Sequence, residues 1–143
     1  MKITVKTISG SVIIGGDYSS LATALFEKRA DLTGADLRGA DLRGADFRGA
    51  YLRGAYLTGA DGENLKLIGS RPILQLSPIG SRGDTLMAAI TDKGVRLHTG
   101  CYQWGTLEQF RVRVGQTHGG NEHGEEYFAA LALIELHAKH FGK

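Results

Sequence analysis

Two residues that could form a catalytic pair lie close together in the second half of the chain. His98 and Cys101 are three positions apart, where a predicted strand ends. An imidazole that lowers the pKa of a thiol creates a nucleophile, so one interpretation is a hydrolase or transferase that uses Cys101 with His98 or His118. The sequence offers no third residue to orient the imidazole and no oxyanion-hole motif. We therefore favour a protein that is not an enzyme, with Cys101 partly buried.

The five histidines could also form a metal site. His137 and His140 are spaced i, i+3 on a predicted helix, where they could share one ion. However, the sequence contains no HExxH or CxxC motif, and the helix dipole alone favours a histidine near the C-terminus of a helix. We predict neither a metal nor a cofactor.

Polar and aromatic residues from residue 80 onward predict a ligand site. The segment GSRGD (80–84) could offer backbone N–H groups and Arg82 to an anion such as a nucleotide phosphate, although a plain hairpin loop is the alternative. Trp104, beside Tyr102, is either a hydrophobic lid over a sheet or a platform for stacking a base. The predicted ligand-binding residues, which would have to converge in the fold, are Arg82, His98, Trp104, His118 and Tyr127.

Hydrophobic periodicity predicts the elements that carry these residues. The segments PILQLS, DTLMAAITD and GVRLHTG predict three antiparallel strands joined by turns. Thr106 and Gln109 form a capping-box pattern at the start of a helix, which Gly119 and Gly120 end. A last helix is predicted from Glu125 to His140. Its apolar face consists of Tyr127, Leu131, Ile134, Ala138 and Phe141.

The N-terminal residues predict a hairpin and a short helix. KITVKTISGSVIIGG alternates β-branched and polar residues around a central turn, which is typical of two short strands. DYSSLATALFEKR predicts a helix capped by Ser19 or Ser20. Its buried side is expected to comprise Leu21, Leu25 and Phe26. We expect this segment to cover one end of the structure that follows it.

Between these ends the chain repeats every five residues. From Ala30 the frames ADLTG, ADLRG, ADLRG, ADFRG, AYLRG and AYLTG follow one another, and ADGEN and LKLIG keep the phase to Gly69. Five residues rotate an α-helix by about 140° beyond a full turn, so the apolar residues would lie all around a helix. In a strand, an odd period would place successive leucines on opposite faces. The chain must therefore turn a corner every five residues.

This pattern resembles the pentapeptide-repeat family, whose repeats follow A(D/N)LXX. The resemblance implies a right-handed, square, parallel β-solenoid with four repeats per coil, so the eight frames would make two coils. It also implies that residue i stacks on residue i+20, with Leu37 under Leu57 and Phe47 under Leu67. The third residue of each frame and the small first residue, from Ala30 through Ala60, would point inward. Glycines would fall at or beside the corners.

The predicted fold is α+β: a short two-coil right-handed parallel β-solenoid, capped by an N-terminal hairpin and helix and followed by a small βββαα unit. The predicted boundaries are 1–29 for the hairpin and capping helix, 30–69 for the solenoid and 70–143 for the C-terminal α+β domain. The flat ends and aromatic residues of so short a solenoid favour a homo-oligomer. Tyr51 and Tyr56 replace outward aspartates, so either another part of the chain covers them or they form a partner-binding patch.

Charge and length argue against one function of the pentapeptide-repeat family, which is to imitate duplex DNA and bind DNA gyrase. Two coils, at a strand spacing of about 4.8 Å, would be only roughly 10 Å tall. The repeat aspartates are balanced by arginines, and the whole chain has 17 basic and 15 acidic residues. A DNA-mimic, gyrase-interacting protein is kept as an alternative, and direct nucleic-acid binding is disfavoured.

The remaining sequence features favour a binding protein made by a phage. IGSRGDTLMAAITDKGVRLHTGCYQWGTLEQF and THGGNEHGEEYFAALALI resemble the tail of predicted pentapeptide-repeat proteins of bacteriophages and prophages. A single cysteine suits a reducing compartment, and no apolar run reaches the roughly 20 residues of a membrane helix. We therefore predict a cytoplasmic, non-enzymatic protein that inhibits a host defence protein or sequesters a nucleotide signal. Its expected partner is a host protein or a small nucleotide-like ligand, not a membrane.

Overall fold

Eight β-strands and three α-helices make up the computed structural model, which describes residues 1–80, 83–100 and 102–142. A short 3-10 turn, Arg29–Asp31, follows the first helix. The protein is mixed α+β, as the sequence predicts. In chain order the elements are β1 (Lys2–Lys6), β2 (Val12–Asp17), α1 (Leu21–Glu27), β3 (Tyr56–Thr58), β4 (Asn64–Lys66), β5 (Ile73–Ile79), β6 (Asp84–Thr91), β7 (Gly94–Thr99), β8 (Tyr102–Thr106), α2 (Leu107–His118) and α3 (Glu122–Phe141).

The five-residue repeat builds a series of similar turns. In five successive frames the N–H of an alanine donates to the carbonyl of the leucine or phenylalanine three residues earlier, at 2.9 to 3.1 Å, as from Ala35 to Leu32. The glycine before each of these alanines, from Gly34 to Gly54, has a φ between 72° and 80°. A residue with a side chain is strained in that conformation, so each turn requires its glycine. The side chain of the first turn residue is buried in every frame.

The inward positions follow the prediction except at the two ends of the repeat. Ala35, Ala45 and Ala55 are buried, as expected for the small first residue of a frame. Ala30 and Ala60, in contrast, are exposed. Ala30 lies in the 3-10 turn and Ala60 lies in the turn between β3 and β4, so neither belongs to the regular series of corners.

The two-coil parallel solenoid that the resemblance implies is not what the structure shows. Two segments of the repeat are joined over a short stretch: the N–H of Gly34 donates to the carbonyl of Arg53, the N–H of Leu37 donates to the carbonyl of Tyr56, and Asp36 forms one parallel bridge with Tyr56. These bonds join positions about one predicted coil apart. Among the described residues, however, the strands form no parallel sheet and no closed sheet.

The last two frames fold back as a hairpin and do not complete a second coil. β3 pairs antiparallel with β4, with Leu57 opposite Leu65. The main chain of Leu67 is hydrogen-bonded to Gly54 and Ala55, so the predicted stacking of Leu67 on the Phe47 frame does not form. The frame ADGEN has no central apolar residue to hold a coil together, and its glycine has a φ of 82°, which permits the turn.

The N-terminal hairpin covers one end of the repeat. β1 and β2 are antiparallel, and the N–H of Asp36 donates to the carbonyl of Lys6 at 2.7 Å. Ser20 caps α1 by accepting a hydrogen bond from the N–H of Thr23, and Leu25 is buried. Phe26, predicted to be buried, is 39% exposed because it lies in the last turn of this seven-residue helix and packs outside the core against the guanidinium of Arg29.

The C-terminal half contains four antiparallel strands in the order β5-β6-β7-β8, so the predicted βββαα unit is corrected to ββββαα. The unpredicted strand, β8, is short and pairs with β7 from Thr99 opposite Tyr102 to Arg96 opposite Thr106. It contains a glycine and a tryptophan with a φ of 58°, so it carries little local strand signal. Trp104 is therefore part of the sheet.

The capping box predicted for α2 is confirmed. Thr106 Oγ1 accepts from the N–H of Gln109 and Gln109 Oε1 accepts from the N–H of Thr106, at 3.1 and 3.0 Å. α3 begins at Glu122, three residues before the predicted start, because Asn121 caps it. Of its predicted apolar face, three residues are buried and two are half-buried.

The sheet lies between two hydrophobic cores, which makes the molecule three-layered. One core joins the N-terminal hairpin, α1, the repeat and one face of the sheet, to which Met87 and Trp104 belong. The other core joins the opposite face of the sheet to α2 and α3, with Leu97 and Leu131 fully buried. The connection from β4 to β5 is held to β6 by the bridge between Leu67 and Thr91.

Candidate functional site

The four-stranded sheet places the predicted ligand-binding residues on two different faces. Along β6, Met87 contributes to the repeat-side core, whereas Leu86 contributes to the helix-side core. His98 lies directly opposite Met87 on β7, and opposed residues of antiparallel strands share a face. Trp104 belongs to the same repeat-side core, and its ring centroid is 5.0 Å from that of His98.

The other predicted residues lie on the helix side of the sheet. His118 ends α2, and Tyr127 is buried in the first half of α3, with ring centroids 6.2 Å apart. Arg82 lies outside the described residues. The four residues that the structure describes therefore form two pairs, and the predicted convergence on one site is not found. Strand alternation is the physical reason, since it sends neighbouring side chains to opposite faces.

A pocket of about 310 Å³ lies on the helix side of the sheet, at the end where β6 begins and β7 ends. Tyr102, Phe110 and Tyr127 form its aromatic wall. Phe110 packs at 5.3 Å from the ring of Tyr102 and at 5.6 Å, edge-on, from the ring of Tyr127. We call this the aromatic pocket. Phe110 therefore contacts both tyrosine rings and joins the three side chains into one aromatic wall.

The rim of the aromatic pocket is polar. Arg113 places its guanidinium 5.3 Å from the centre of the Tyr102 ring, and His118 and Asp84 line the same opening. Burial raises the pKa of Tyr102, so its hydroxyl stays protonated at neutral pH and donates to the carbonyl of Thr106 at 3.0 Å. The pocket thus combines flat apolar surface with the guanidinium of Arg113, the imidazole of His118 and the carboxylate of Asp84.

Two glycines allow the elements around this pocket to approach closely. A side chain at Gly80, whose φ is 77°, would collide with the hydroxyl of Tyr127. A side chain at Gly124 would collide with the carbonyl of His118. The N–H of Gly80 also donates to Glu126 Oε1 at 2.6 Å, which ties the end of β5 to α3. These contacts fix Tyr127 and His118 relative to the sheet.

A second cleft, of about 500 Å³, separates the repeat from the sheet. His98 lies at its floor, only 4% exposed, and burial lowers the pKa of this imidazole, so His98 is neutral at pH 7. Arg43, Arg48 and Asp84 lie around the opening. Cys101, the predicted partner of His98 in catalysis, lies outside the described residues.

Gln75 joins the two halves of the protein and is not among the residues predicted from the sequence. Its Oε1 accepts from the N–H of Phe47 at 2.8 Å, and its Nε2 donates to the carbonyl of Ala45 at 2.9 Å. The side chain therefore pairs with a repeat frame as a neighbouring strand would. The available signal was a polar residue between two leucines in PILQLS, on the strand face that meets the repeat.

The outward charges of the repeat neutralise each other within single frames. Side-chain hydrogen bonds from Arg43 lower the pKa of Asp41 to about 2, so this carboxylate stays charged through the physiological range. Such a surface alternates in sign and does not present the acidic stripe of a DNA mimic. The ion pairs, with nitrogen to oxygen distances of 2.6 to 2.8 Å, are Asp36–Arg38, Asp41–Arg43 and Asp46–Arg48.

Arg96 of β7 and Glu63 in the β3–β4 turn form a more buried ion pair, at 2.9 Å. The side chain of Arg96 is only 8% exposed, and it also donates to the carbonyl of Trp104. This pair links the sheet to the folded-back end of the repeat. The hydrogen bond from Arg96 lowers the pKa of Glu63, so the carboxylate is the form that the folded state prefers.

We expect the Glu63→Gln variant to be less stable than the parent protein at pH 7. Folding lowers the pKa of Glu63 from its ordinary value of 4.5. The carboxylate therefore stabilises the fold at pH values above 4.5, and this stabilisation is lost as the pH falls through the lower pKa of the folded state. The difference between the two proteins should therefore shrink on acidification. Urea unfolding at pH 7 and pH 3 measures it. An equal difference at both pH values would contradict this role of the charge.

The two repeat tyrosines differ in their surroundings. Tyr51 is 63% exposed, so neither the N-terminal hairpin nor the C-terminal half covers it. Tyr56 is half-buried in β3, opposite Lys66. Cover by another part of the chain, one of the two interpretations of these residues, is thus wrong for Tyr51. The partner-binding patch stays a prediction.

The C-terminal histidines have partners other than a metal. His137 Nε2 lies 2.9 Å from the carbonyl of Arg71, and its ring packs on Phe141. His140 contacts the same phenylalanine ring. No cluster of three or more histidine, cysteine, aspartate or glutamate side chains able to hold a metal occurs within residues 1–80, 83–100 and 102–142. In the same part of the chain, each helix is too short or too polar to cross a bilayer.

Comparison with known proteins recognises the repeat and nothing beyond it. Residues 28–61 match the pentapeptide-repeat family, with eight copies of the repeat. The match ends at the turn where the chain folds back into β4. No curated protein and no solved structure matches the chain. The pentapeptide-repeat segment is thus similar to known repeats, while the sheet and helices that form the aromatic pocket lie outside the matched residues.

Proposed function

We propose that this protein is not an enzyme and that it binds a small nucleotide-like ligand in the aromatic pocket. The observation that carries the proposal is the wall formed by Tyr102, Phe110 and Tyr127 with Arg113 and His118 at its rim. Ligand pockets in proteins are mostly apolar and aromatic, with a few polar groups that orient the ligand. The volume of about 310 Å³ lies at the lower end of the range of pockets that bind small organic molecules.

The chemistry of the pocket favours a planar, negatively charged ligand. Every nucleobase has a π face that can stack on an aromatic side chain, which contributes about 1–3 kcal/mol per base. A guanidinium recognises phosphate oxygens with paired hydrogen bonds, and Arg113 stands beside the aromatic wall where a base would stack. His118 adds a group that can donate to the same phosphate. Pentapeptide-repeat proteins are generally not enzymes, which agrees with binding without turnover.

We propose that the pentapeptide-repeat segment acts as scaffold, as a shortened coil of the solenoid kind. The support is the regular series of turns from Ala35 to Ala55 and the hydrogen bonds from Gly34 to Arg53 and from Leu37 to Tyr56. Gln75 and the Arg96–Glu63 pair fasten this scaffold to the sheet. In this arrangement the scaffold supports one face of the sheet while α2 and α3 hold the ligand on the other.

The setting we propose is the host cytoplasm during phage infection, where sequestering a nucleotide signal or inhibiting a defence protein would protect the phage. The support is the resemblance of the C-terminal sequence to phage pentapeptide-repeat proteins and the single cysteine, which suits a reducing compartment. This setting is independent of the pocket chemistry. Identifying the ligand therefore tests the pocket and not the phage origin of the protein.

Calorimetric titration with a panel of mononucleotides and cyclic dinucleotides tests the proposed function. We expect at least one of them to bind, and Arg113→Gln to weaken its binding by about tenfold or more, because a charged hydrogen bond to phosphate is lost. Arg53→Gln, at an exposed repeat arginine that does not line the pocket, is the matched control and should bind as the parent protein does. Absence of binding across the panel, or equal losses in the two variants, would refute the proposal.

A further inference from the structure

The outer face of α3 carries an apolar stripe that faces solvent. Tyr127, Leu131 and Ile134 on the opposite face are buried against the sheet. On the solvent side Leu133 is 46% and Leu136 is 53% exposed. We call this surface the α3 stripe. It consists of Ala129, Ala132, Leu133 and Leu136, all of them exposed.

The two ends of the α3 stripe carry opposite charges. Glu122 and Glu125 lie in the first turn of the helix, and Lys139 and His140 lie in its last turn. All four side chains belong to exposed residues. Helix dipoles favour this distribution, but it also makes the surface acidic at one end and basic at the other. Such a surface is complementary to its own copy when that copy runs in the opposite direction.

We propose that two copies of this chain form a dimer by packing their α3 stripes together in antiparallel orientation. A two-fold axis between Ala132 and Leu133 sets each residue opposite a defined residue of the other copy. Ala132 then lies opposite Leu133, and Ala129 lies opposite Leu136. Every leucine meets an alanine, so large and small side chains alternate across the interface and the helices can approach closely. Contacts of this kind are isologous, as in most two-fold dimers.

The charges select the antiparallel orientation. About the same axis, Glu125 of one copy lies opposite His140 of the other and beside Lys139 of the other. Both ends of the interface therefore gain favourable pairs. In a parallel pair, Glu125 would lie against Glu125 and Leu136 against Leu136, which combines charge repulsion with crowding. The helix, with 20 residues at 1.5 Å each, is about 30 Å long, enough for the stripe and both charged ends to be in contact at once.

This interface differs from the one expected from the sequence, which was the flat ends of the solenoid. One end of the repeat is covered by the N-terminal hairpin through the bridge between Thr7 and Ala35. The other is joined to the sheet through the bridge between Leu67 and Thr91 and the pair Arg96–Glu63. The α3 stripe, on the outermost layer of the molecule, is open to a second copy.

Sedimentation velocity over a range of concentrations tests the dimer. We expect a parent protein that is dimeric at high micromolar concentration and dissociates on dilution, because a single helix pair makes a small interface. Leu136→Glu should keep the protein monomeric over that range. Val112→Glu is the matched control, since Val112 is 54% exposed but lies on α2, outside the stripe, and this variant should dimerise normally.

A charge exchange tests the orientation. Glu125→Lys and Lys139→Glu should each weaken the dimer by about tenfold or more, and the double variant should recover most of the loss because the pair is restored with its signs reversed. Three outcomes would overturn the proposal. They are a parent protein that stays monomeric, a dimer that survives Leu136→Glu, and a double variant no better than the sum of the two single ones.

Discussion

Replacing Leu131 with alanine is expected to lower the free energy of unfolding by about 3 kcal/mol. Leu131 is fully buried in the core between the sheet and the two helices, where it packs with Phe110, Val114 and Leu97. The substitution removes three carbon atoms from a core that lies between the sheet and the helices. Because both layers hold their positions, the cavity cannot close fully. The expected loss of stability is the sum of the transfer free energy of the removed carbon atoms and the energetic cost of the cavity that remains.

Leu133→Ala is the matched control for this prediction. It is the same substitution two positions later on α3, at a side chain that is 46% exposed, and it should change the free energy of unfolding by less than about 0.5 kcal/mol. Both variants should be compared by urea unfolding at a protein concentration where sedimentation shows monomers, so that dimerisation does not contribute. Similar losses in the two variants would mean that the helix-side core is not where the structure places it.

The Gln75→Leu variant is expected to lose about 2 kcal/mol of stability. Leucine has a similar size but leaves the N–H of Phe47 and the carbonyl of Ala45 without their partners at the edge of the repeat. Each unpaired polar group costs about 1–3 kcal/mol when it is buried. Because water can reach this site from the neighbouring cleft, we expect a cost at the lower end of that range for each group. The sheet and the repeat would then be held together by fewer polar contacts.

Amide hydrogen exchange gives this second prediction a local readout. The N–H of Phe47 should exchange faster in Gln75→Leu, while the N–H of Ala50, which donates to the Phe47 carbonyl inside the turn, should change less. Gln103→Leu, at an exposed glutamine of β8, serves as the control and should lie within about 0.5 kcal/mol of the parent protein. An unchanged exchange rate at Phe47 would show that Gln75 does not bind the repeat.

The local features of this protein could be predicted because their signals are local. The turn hydrogen bond from Ala35 to Leu32 and the positive φ of Gly34 follow from the five-residue spacing of glycine and leucine. The capping box at Thr106 and the buried face of α3 follow from side-chain chemistry within a few residues. In each case the competing conformations differ in backbone strain or in a nearby hydrogen bond, and both depend on adjacent residues.

The pairing of distant segments could not be predicted in the same way. β8 forms because its backbone pairs with the free edge of β7, although Trp104 and Gly105 have little strand preference of their own. The frame ADGEN keeps the five-residue phase but lacks an apolar centre, so antiparallel pairing between β3 and β4 replaces the second coil. Pairing energies depend on partners that the sequence does not mark.

By itself, the sequence determined the corners of the repeat, the caps of the helices and the apolar face of α3. Only the tertiary structure decided that His98 lies on the repeat side of the sheet and His118 on the helix side. It also decided that Gln75 bonds to the repeat and that Arg113 stands over Tyr102. The physical reason is that strand alternation and layer packing select which distant side chains meet, and neither is determined within one short stretch of chain.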